Sequence, residues 1–277
     1  MIKSLRAASA VVFLAMSVSS GQAAPLALSA SGSDAASIQA AVDAFRASLG
    51  VLNANVAGSF GSGRREINWD GVPNVLAAPA DLPGDFFNTV SPRGVEFTTP
   101  GTGFQVSGNA GVATVEFGNL DPSYPGLFAS FSAQRLFTAI GSNIVDVHFY
   151  VPGSDMAALT DGFGAVFTDV DLAATTSIEF FDHFDVLLGT FFAPIEAGDE
   201  TFSFLGVQFS EGPVIARARI TSGNQVLAEG NTATDLVVMD DFIYGEPSPV
   251  PEPAAGAQVA VALLTAWGLR RLSPWLR

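Results

Sequence analysis

From Val95 onward, apolar and polar residues alternate with a period of two. In Ile144–Val151, Val145, Val147, Phe149 and Val151 fall on one face, with Asp146 and His148 on the other. That is the alternation of a half-buried strand. Val214–Thr221 repeats it, with Val214, Ala216, Ala218 and Ile220 inward and Arg217 and Arg219 outward. The same pattern predicts strands over Val95–Thr98, Phe104–Ser107, Val112–Phe117, Leu127–Phe137, Phe163–Val170, Ser177–Phe181, Val186–Phe192, Thr201–Ser210 and Asp235–Tyr244. Gly, Pro, Asn and Asp separate them, as turns require. One stretch has a helical period. Across Ala35–Leu49, Ile38, Val42, Phe45 and Leu49 share a face, Ser33 or Asp34 is placed to cap, and Gly50 to stop. Residues 51–103 lose regular periodicity around Gly58, Gly61, Gly63 and the Pro-rich stretch 73–100, which reads as loops around short strands. The expected fold is therefore all-β: a two-sheet, jelly-roll-like β-sandwich with a short N-terminal helix, an up-and-down barrel being the alternative closure. With no internal repeat, one domain is expected over 33–246, preceded by a linker at 25–32.

Composition supports a buried core: 48% of residues are hydrophobic and 14% charged. The charge is lopsided. Lys3, Arg6, Arg270, Arg271 and Arg277 lie in the terminal segments, so the seven remaining arginines face all 27 acids. Such a surface repels phosphate backbones and excludes a nucleic-acid partner. The absence of Cys removes disulfides, thiol nucleophiles and thiolate metal sites.

No nucleophile elbow, phosphate loop, dinucleotide fingerprint or zinc-protease motif occurs, and the two histidines, His148 and His183, are far apart in sequence. Hard acids are grouped instead. Asp169 and Asp171 follow the strand GFGAVF, and Asp240 and Asp241 lie in the last predicted strand. Carboxylates at strand ends suit Ca²⁺, which takes six to eight oxygens, so a structural Ca²⁺ is expected at some of these four, against a reading of plain surface charge. Val238–Tyr244 resembles the closing strand of jelly-roll domains of the carbohydrate-binding-module and MAM type, where such an Asp helps bind structural Ca²⁺. Arg64–Gly71 is dense in polar groups around Trp69, which reads either as a ligand-contacting loop or as a loop tied by Arg–Asp pairs over the core. Trp69 and Tyr124 are the candidate sugar-stacking aromatics, with Tyr150 and Tyr244 behind them. Paired carboxylates for glycoside hydrolysis form the enzymatic alternative.

The termini carry the most specific signals. Met1–Ala24 has a basic start, an apolar run over Ala10–Val18 and a small-residue end before Pro25, the pattern of a signal peptide for Sec export. At the other end, Val250-Pro251-Glu252-Pro253 leads into an uncharged apolar run, Ala254–Leu269, and a tail with Arg270 and Arg271. Three elements in this order resemble the PEP-CTERM sorting signal of exported bacterial proteins. The resemblance implies a Gram-negative-type source, a transmembrane sorting helix over 254–269, a basic cytoplasmic tail over 270–277 and transient inner-membrane anchoring. It also implies cleavage near the motif by an exosortase-type enzyme and delivery to the cell surface. The expected function is that of an exported cell-surface or extracellular-matrix protein, non-catalytic and associated with exopolysaccharide. The rivals are a secreted carbohydrate-active enzyme and a purely structural surface protein.

Overall fold

A computed structural model describes residues 24–112, 114–231 and 235–251. The expected signal peptide, apart from Ala24, and the expected sorting helix and tail lie outside the described residues. Among the described residues, no helix is long and apolar enough to cross a membrane.

Two antiparallel sheets form an all-β sandwich. The larger, seven-stranded sheet contains β1 (Leu26–Gly32), β2 (Arg64–Ile67), β4 (Gly103–Val106), β5 (Phe137–Ile140), β8 (Gly162–Thr168), β11 (Phe202–Gln208) and β13 (Val238–Gly245). Its order is β1-β11-β8-β13-β5-β4, with β2 paired to the second half of β13. The five-stranded sheet contains β3 (Val95–Thr98), β6 (Ile144–Phe149), β9 (Ser177–Phe181), β10 (Leu187–Phe192) and β12 (Arg217–Thr221), in the order β10-β9-β12-β6-β3. A short ribbon pairs β7 (Ala158–Leu159) with β14 (Ser248–Pro249).

The alternation read from the sequence shows what lies between the layers. Val145, Val147 and Phe149 of β6, Ile178 and Phe180 of β9, and Ala218 and Ile220 of β12 pack into one core with Phe163, Phe167 and Phe242 of the larger sheet. All seven residues of β8 are buried, because its other face lies under α1 (Ala35–Leu49). Helix α1 starts where Asp34 accepts a hydrogen bond from the Ser37 N–H at 2.9 Å, a side-chain N-cap. It then lays Ile38, Val42, Phe45 and Leu49 onto Val166, Phe204 and Ile243. Contact is close because Gly164 and Gly206 face Phe45: a Cβ on Gly206 would stand 2.8 Å from its ring.

Several expectations need correction. The linker expected at 25–32 is strand β1, paired with β11 along its whole length from Leu26↔Gln208 to Gly32↔Phe202. Its Ala, Ser and Gly residues have weak strand propensity, and it is held by a ready edge and by Leu28 and Ala30 against the helix. Apart from Ala113, which lies outside the described residues, the predicted strand Val112–Phe117 and most of Leu127–Phe137 are turns and irregular chain. Glu116 and Phe117 take φ of 45° and 61°, and a 3₁₀ turn covers Tyr124–Gly126. Phe117, Tyr124, Phe128 and Leu136 gather into a separate small core with Leu227, Leu236 and Val238. Their apolar spacing served a local cluster rather than a sheet face. Ahead of β12, Ile215 is buried and bridges to Thr160 while Val214 is only partly buried, and β12 itself runs from Arg217.

Candidate functional site

A polar groove of about 320 Å³ opens where the C-terminal end of α1, the outer side of β2 and the middle of β13 meet. Strand β2 alternates strictly: Arg65 and Ile67 are buried, while Arg64 and Glu66 are half-buried. Glu66 thus points into the groove and Asn68 stands exposed at its lip. Arg46, in the last turn of α1, reaches across. Its Nε donates to Glu66 Oε1 at 3.1 Å, and its Nη2 donates both to Glu66 Oε2 at 3.0 Å and to Asp241 Oδ2 at 3.0 Å.

Asp241 is present because β13 is bulged. Against β8, Met239 pairs with Phe167 and Phe242 with Ala165, so β13 carries one extra residue at Asp240–Asp241. The bulge sends Asp241 to the α1 side and buries Asp240 under the segment at Phe131 and Ser132. Asp240 Oδ2 accepts from the Phe131 N–H at 2.6 Å and the Ser132 N–H at 3.2 Å. Ser132 Oγ donates to Asp241 Oδ1 at 2.7 Å. Burial raises both carboxyls above the usual carboxylate range. Asp240 is raised further because the charge of Asp241 adds to its desolvation, while the Ser132 bond and Arg46 pull Asp241 back. Asp240 is therefore the partner that favours the neutral form.

The four acids considered for Ca²⁺ separate into two places. Asp240 and Asp241 do not fit the ion: backbone N–H groups take up Asp240, and the positive charge beside Asp241 is that of Arg46. Asp169 fits better. It follows β8 with φ 70°, is only 4% exposed, and its Oδ1 has no hydrogen-bond partner. Burial, then the charges of Asp171, Asp199 and Asp235, push its carboxyl up to about 8. Asp171 Oδ1 accepts from the Gly198 N–H at 2.8 Å. Among the described residues, no three acidic or histidine side chains are grouped to hold a metal by themselves, so a cation at Asp169 would need carbonyl oxygens and water to complete its shell.

Neither expected stacking aromatic reaches solvent. Trp69 and Tyr124 are both 0% exposed. Trp69 stacks on Phe137 at 4.1 Å and donates through Nε1 to the Asp240 carbonyl at 2.8 Å. Tyr124 donates to the Ala228 carbonyl at 2.7 Å. Each is a core aromatic whose polar tip finds a backbone oxygen. Of the sorting motif, only Val250 and Pro251 are described. The Val250 N–H approaches the Ala157 carbonyl at 3.4 Å, continuing the β14–β7 pairing, while Glu252, Pro253, Arg270 and Arg271 lie outside the described residues.

The structure also joins what the sequence separated. His148 and His183 line one cavity of about 290 Å³ with Tyr150, Asp182, Asp185 and Arg217. The register explains it, since Arg217 of β12 stands opposite both His148 of β6 and Phe181 of β9. Burial holds His148 below its ordinary pKa, and its Nε2 lies 2.9 Å from Thr98 Oγ1.

No protein-family model, curated protein or solved structure matches this chain. Chemistry must therefore be read from the groove itself. Glu66 and Asp241 meet on one guanidinium nitrogen. Glycoside hydrolysis needs a carboxylic acid free to give a proton and a carboxylate free to attack or activate water. Here both carboxylates are hydrogen-bonded to Arg46, and Glu66 also to Arg64. The amides of Asn55 and Asn68, exposed at the rim, offer the paired donor and acceptor groups that recognise hydroxyls.

Proposed function

We propose that this chain is an exported cell-surface or matrix protein, sorted and cleaved through a PEP-CTERM-type signal, that holds extracellular polysaccharide without cleaving it. The observation that carries the reading is the groove: amide and guanidinium groups line it, and Arg46 occupies both of its carboxylates. Support for processing comes from the end of the fold. Strand pairing runs to Pro249 and the Val250 N–H still faces Ala157, so cleavage at or beyond Glu252 leaves every described strand in place. The sandwich is read as jelly-roll-like, because successive strands from β3 to β13 pass repeatedly between the two sheets.

Two measurements test this. The protein should be retained on exopolysaccharide from its own cells, an Asn55→Ala/Asn68→Ala variant should lose retention, and neither should release reducing ends over time. Failure of the folded wild type to be retained sinks the binding reading. Intact mass of the secreted protein should show loss of the apolar tail; a full tail in every fraction sinks the processing reading.

Ca²⁺ at Asp169 and Asp171 is part of the same proposal. Ca²⁺ should raise the melting temperature relative to EDTA, as any ligand of the folded state does, and Asp169→Asn should abolish the difference. Identical melting curves for the wild type would remove the metal.

A further inference from the structure

Seven arginines lie among the described residues, and six have partners. Arg46 and Arg64 bond to Glu66, Arg65 to Glu246, Arg135 to the Ser107 carbonyl, and Arg217 and Arg219 to Asp146. Arg93 makes no side-chain hydrogen bond or ion pair among the described residues, and its Nε is buried without an acceptor. Its guanidinium lies over the Phe87 ring at 5.0 Å and lines the same groove as Arg46, Glu66 and Asn68. Its backbone is fixed at both ends of the peptide unit: the N–H donates to the Phe87 carbonyl at 2.8 Å, and the carbonyl accepts from Tyr244 Oη at 3.0 Å.

In a chain with 27 acids and 12 basic residues, an arginine whose side chain has no hydrogen-bond partner among the described residues is conspicuous. A partly desolvated cation is unfavourable unless something pairs with it. Burial and the neighbouring charge of Arg65 both work against its protonated form, yet a guanidinium stays charged in proteins. The two acids of the groove cannot relieve it, because both are engaged by Arg46.

We infer that the groove takes a sugar carrying a carboxylate, a uronate, with Arg93 as the residue that receives the carboxylate and Asn55 and Asn68 as contacts for hydroxyls. This rests on the saccharide reading above and narrows it to acidic polymers. Arginine suits the role because its planar fork matches a carboxylate with two parallel hydrogen bonds. The net charge of the chain opposes an acidic polymer, but at physiological salt that repulsion is screened beyond about 8 Å, and the two acids of the groove itself, Glu66 and Asp241, are hydrogen-bonded to Arg46.

Calorimetry on the full chain with trigalacturonate and with its carboxyl-reduced, neutral counterpart tests the inference. The wild type should bind the acidic oligomer at least tenfold more tightly, and Arg93→Gln should bind the two alike. Arg93→Lys keeps the cation over Phe87 and guards against a folding defect: it should retain the acid preference at reduced affinity. A sulfated trisaccharide as a third arm separates carboxylate from other oxyanions, and binding it as tightly as the uronate would overturn the assignment to uronate. Equal binding of acidic and neutral oligomers by the wild type would overturn the inference and leave the saccharide reading standing. An acid preference unchanged in Arg93→Gln would overturn the role of Arg93. If neither oligomer binds, the inference also falls, and retention on native polymer judges the broader reading separately.

Discussion

Glu246→Gln should destabilise the domain by about 3–5 kcal/mol, the cost of leaving a buried charge without its partner. Arg65 is 0% exposed, Glu246 is 4% exposed, and they pair through two bonds: Nε to Oε2 at 2.8 Å and Nη2 to Oε1 at 2.9 Å. The pair also gathers the irregular chain ahead of β3. Arg65 donates to the carbonyls of Pro92 at 2.8 Å, Gly58 at 3.1 Å and Val56 at 3.3 Å. Glu246 accepts from the Phe60 N–H at 3.2 Å and Asn53 Nδ2 at 2.8 Å. Urea unfolding of the single variants and of Arg65→Met/Glu246→Leu closes a double-mutant cycle. The double variant should recover a large part of the loss, because replacing both ions removes the stranded charge. A Glu246→Gln protein within about 0.5 kcal/mol of wild type, the usual span of a surface substitution, would mean that the pair is not desolvated. Binding should suffer too, since Asn53, Asn55 and Arg93 all sit on chain that this pair fastens down.

That pair shows where reading a sequence runs out. Local pattern was legible: Val95–Thr98, Ser177–Phe181 and the helix Ala35–Leu49 form at the predicted bounds, because each needs only its own periodicity and flanking turn or cap residues. Arg65 and Glu246 stand 181 residues apart, and no local signal distinguishes them from solvated charges. The bulge at Asp240–Asp241 was hidden for a related reason. Two adjacent acids in an apolar strand look like a solvated edge, whereas the extra residue turns one under Phe131 and the other toward Arg46. Arg64–Gly71 was visible as a polar segment of two possible meanings; the loop is tied down over the core, though by Arg–Glu rather than Arg–Asp pairs, and contact with a ligand is part of the proposed function. Glu66 and Asn68 face the groove, while Arg65 and Trp69 are sealed inside. Arg93, in a Pro- and Gly-flanked loop, carried no signal at all.

Trp69→Ala should cost about 3–5 kcal/mol, the range for deleting a large aromatic from a packed core. The indole is surrounded: stacked on Phe137 at 4.1 Å, edge-on to Phe242 at 5.1 Å and Phe87 at 5.5 Å, and tilted against Phe97 at 5.8 Å. Its removal opens a cavity where the two sheets meet and strips the Asp240 carbonyl of its donor. Trp69→Phe separates these contributions, keeping most of the packing but leaving that buried oxygen unpaired, for a loss of about 1–3 kcal/mol. The position is also strained, with φ 64° on a bulky residue, so neither variant gains by relaxing. Urea unfolding gives the energies, and saccharide titration below the unfolding transition shows whether binding follows stability. A sugar-stacking tryptophan would behave in the opposite way: Ala would abolish binding and leave the unfolding midpoint in place. Iodide offers an independent check on a Trp267→Phe/Trp275→Phe background, where Trp69 is the one indole left, because an indole with 0% exposure is shielded from the quencher with or without saccharide. Loss of binding at unchanged stability would return Trp69 to the surface and overturn its place between the sheets.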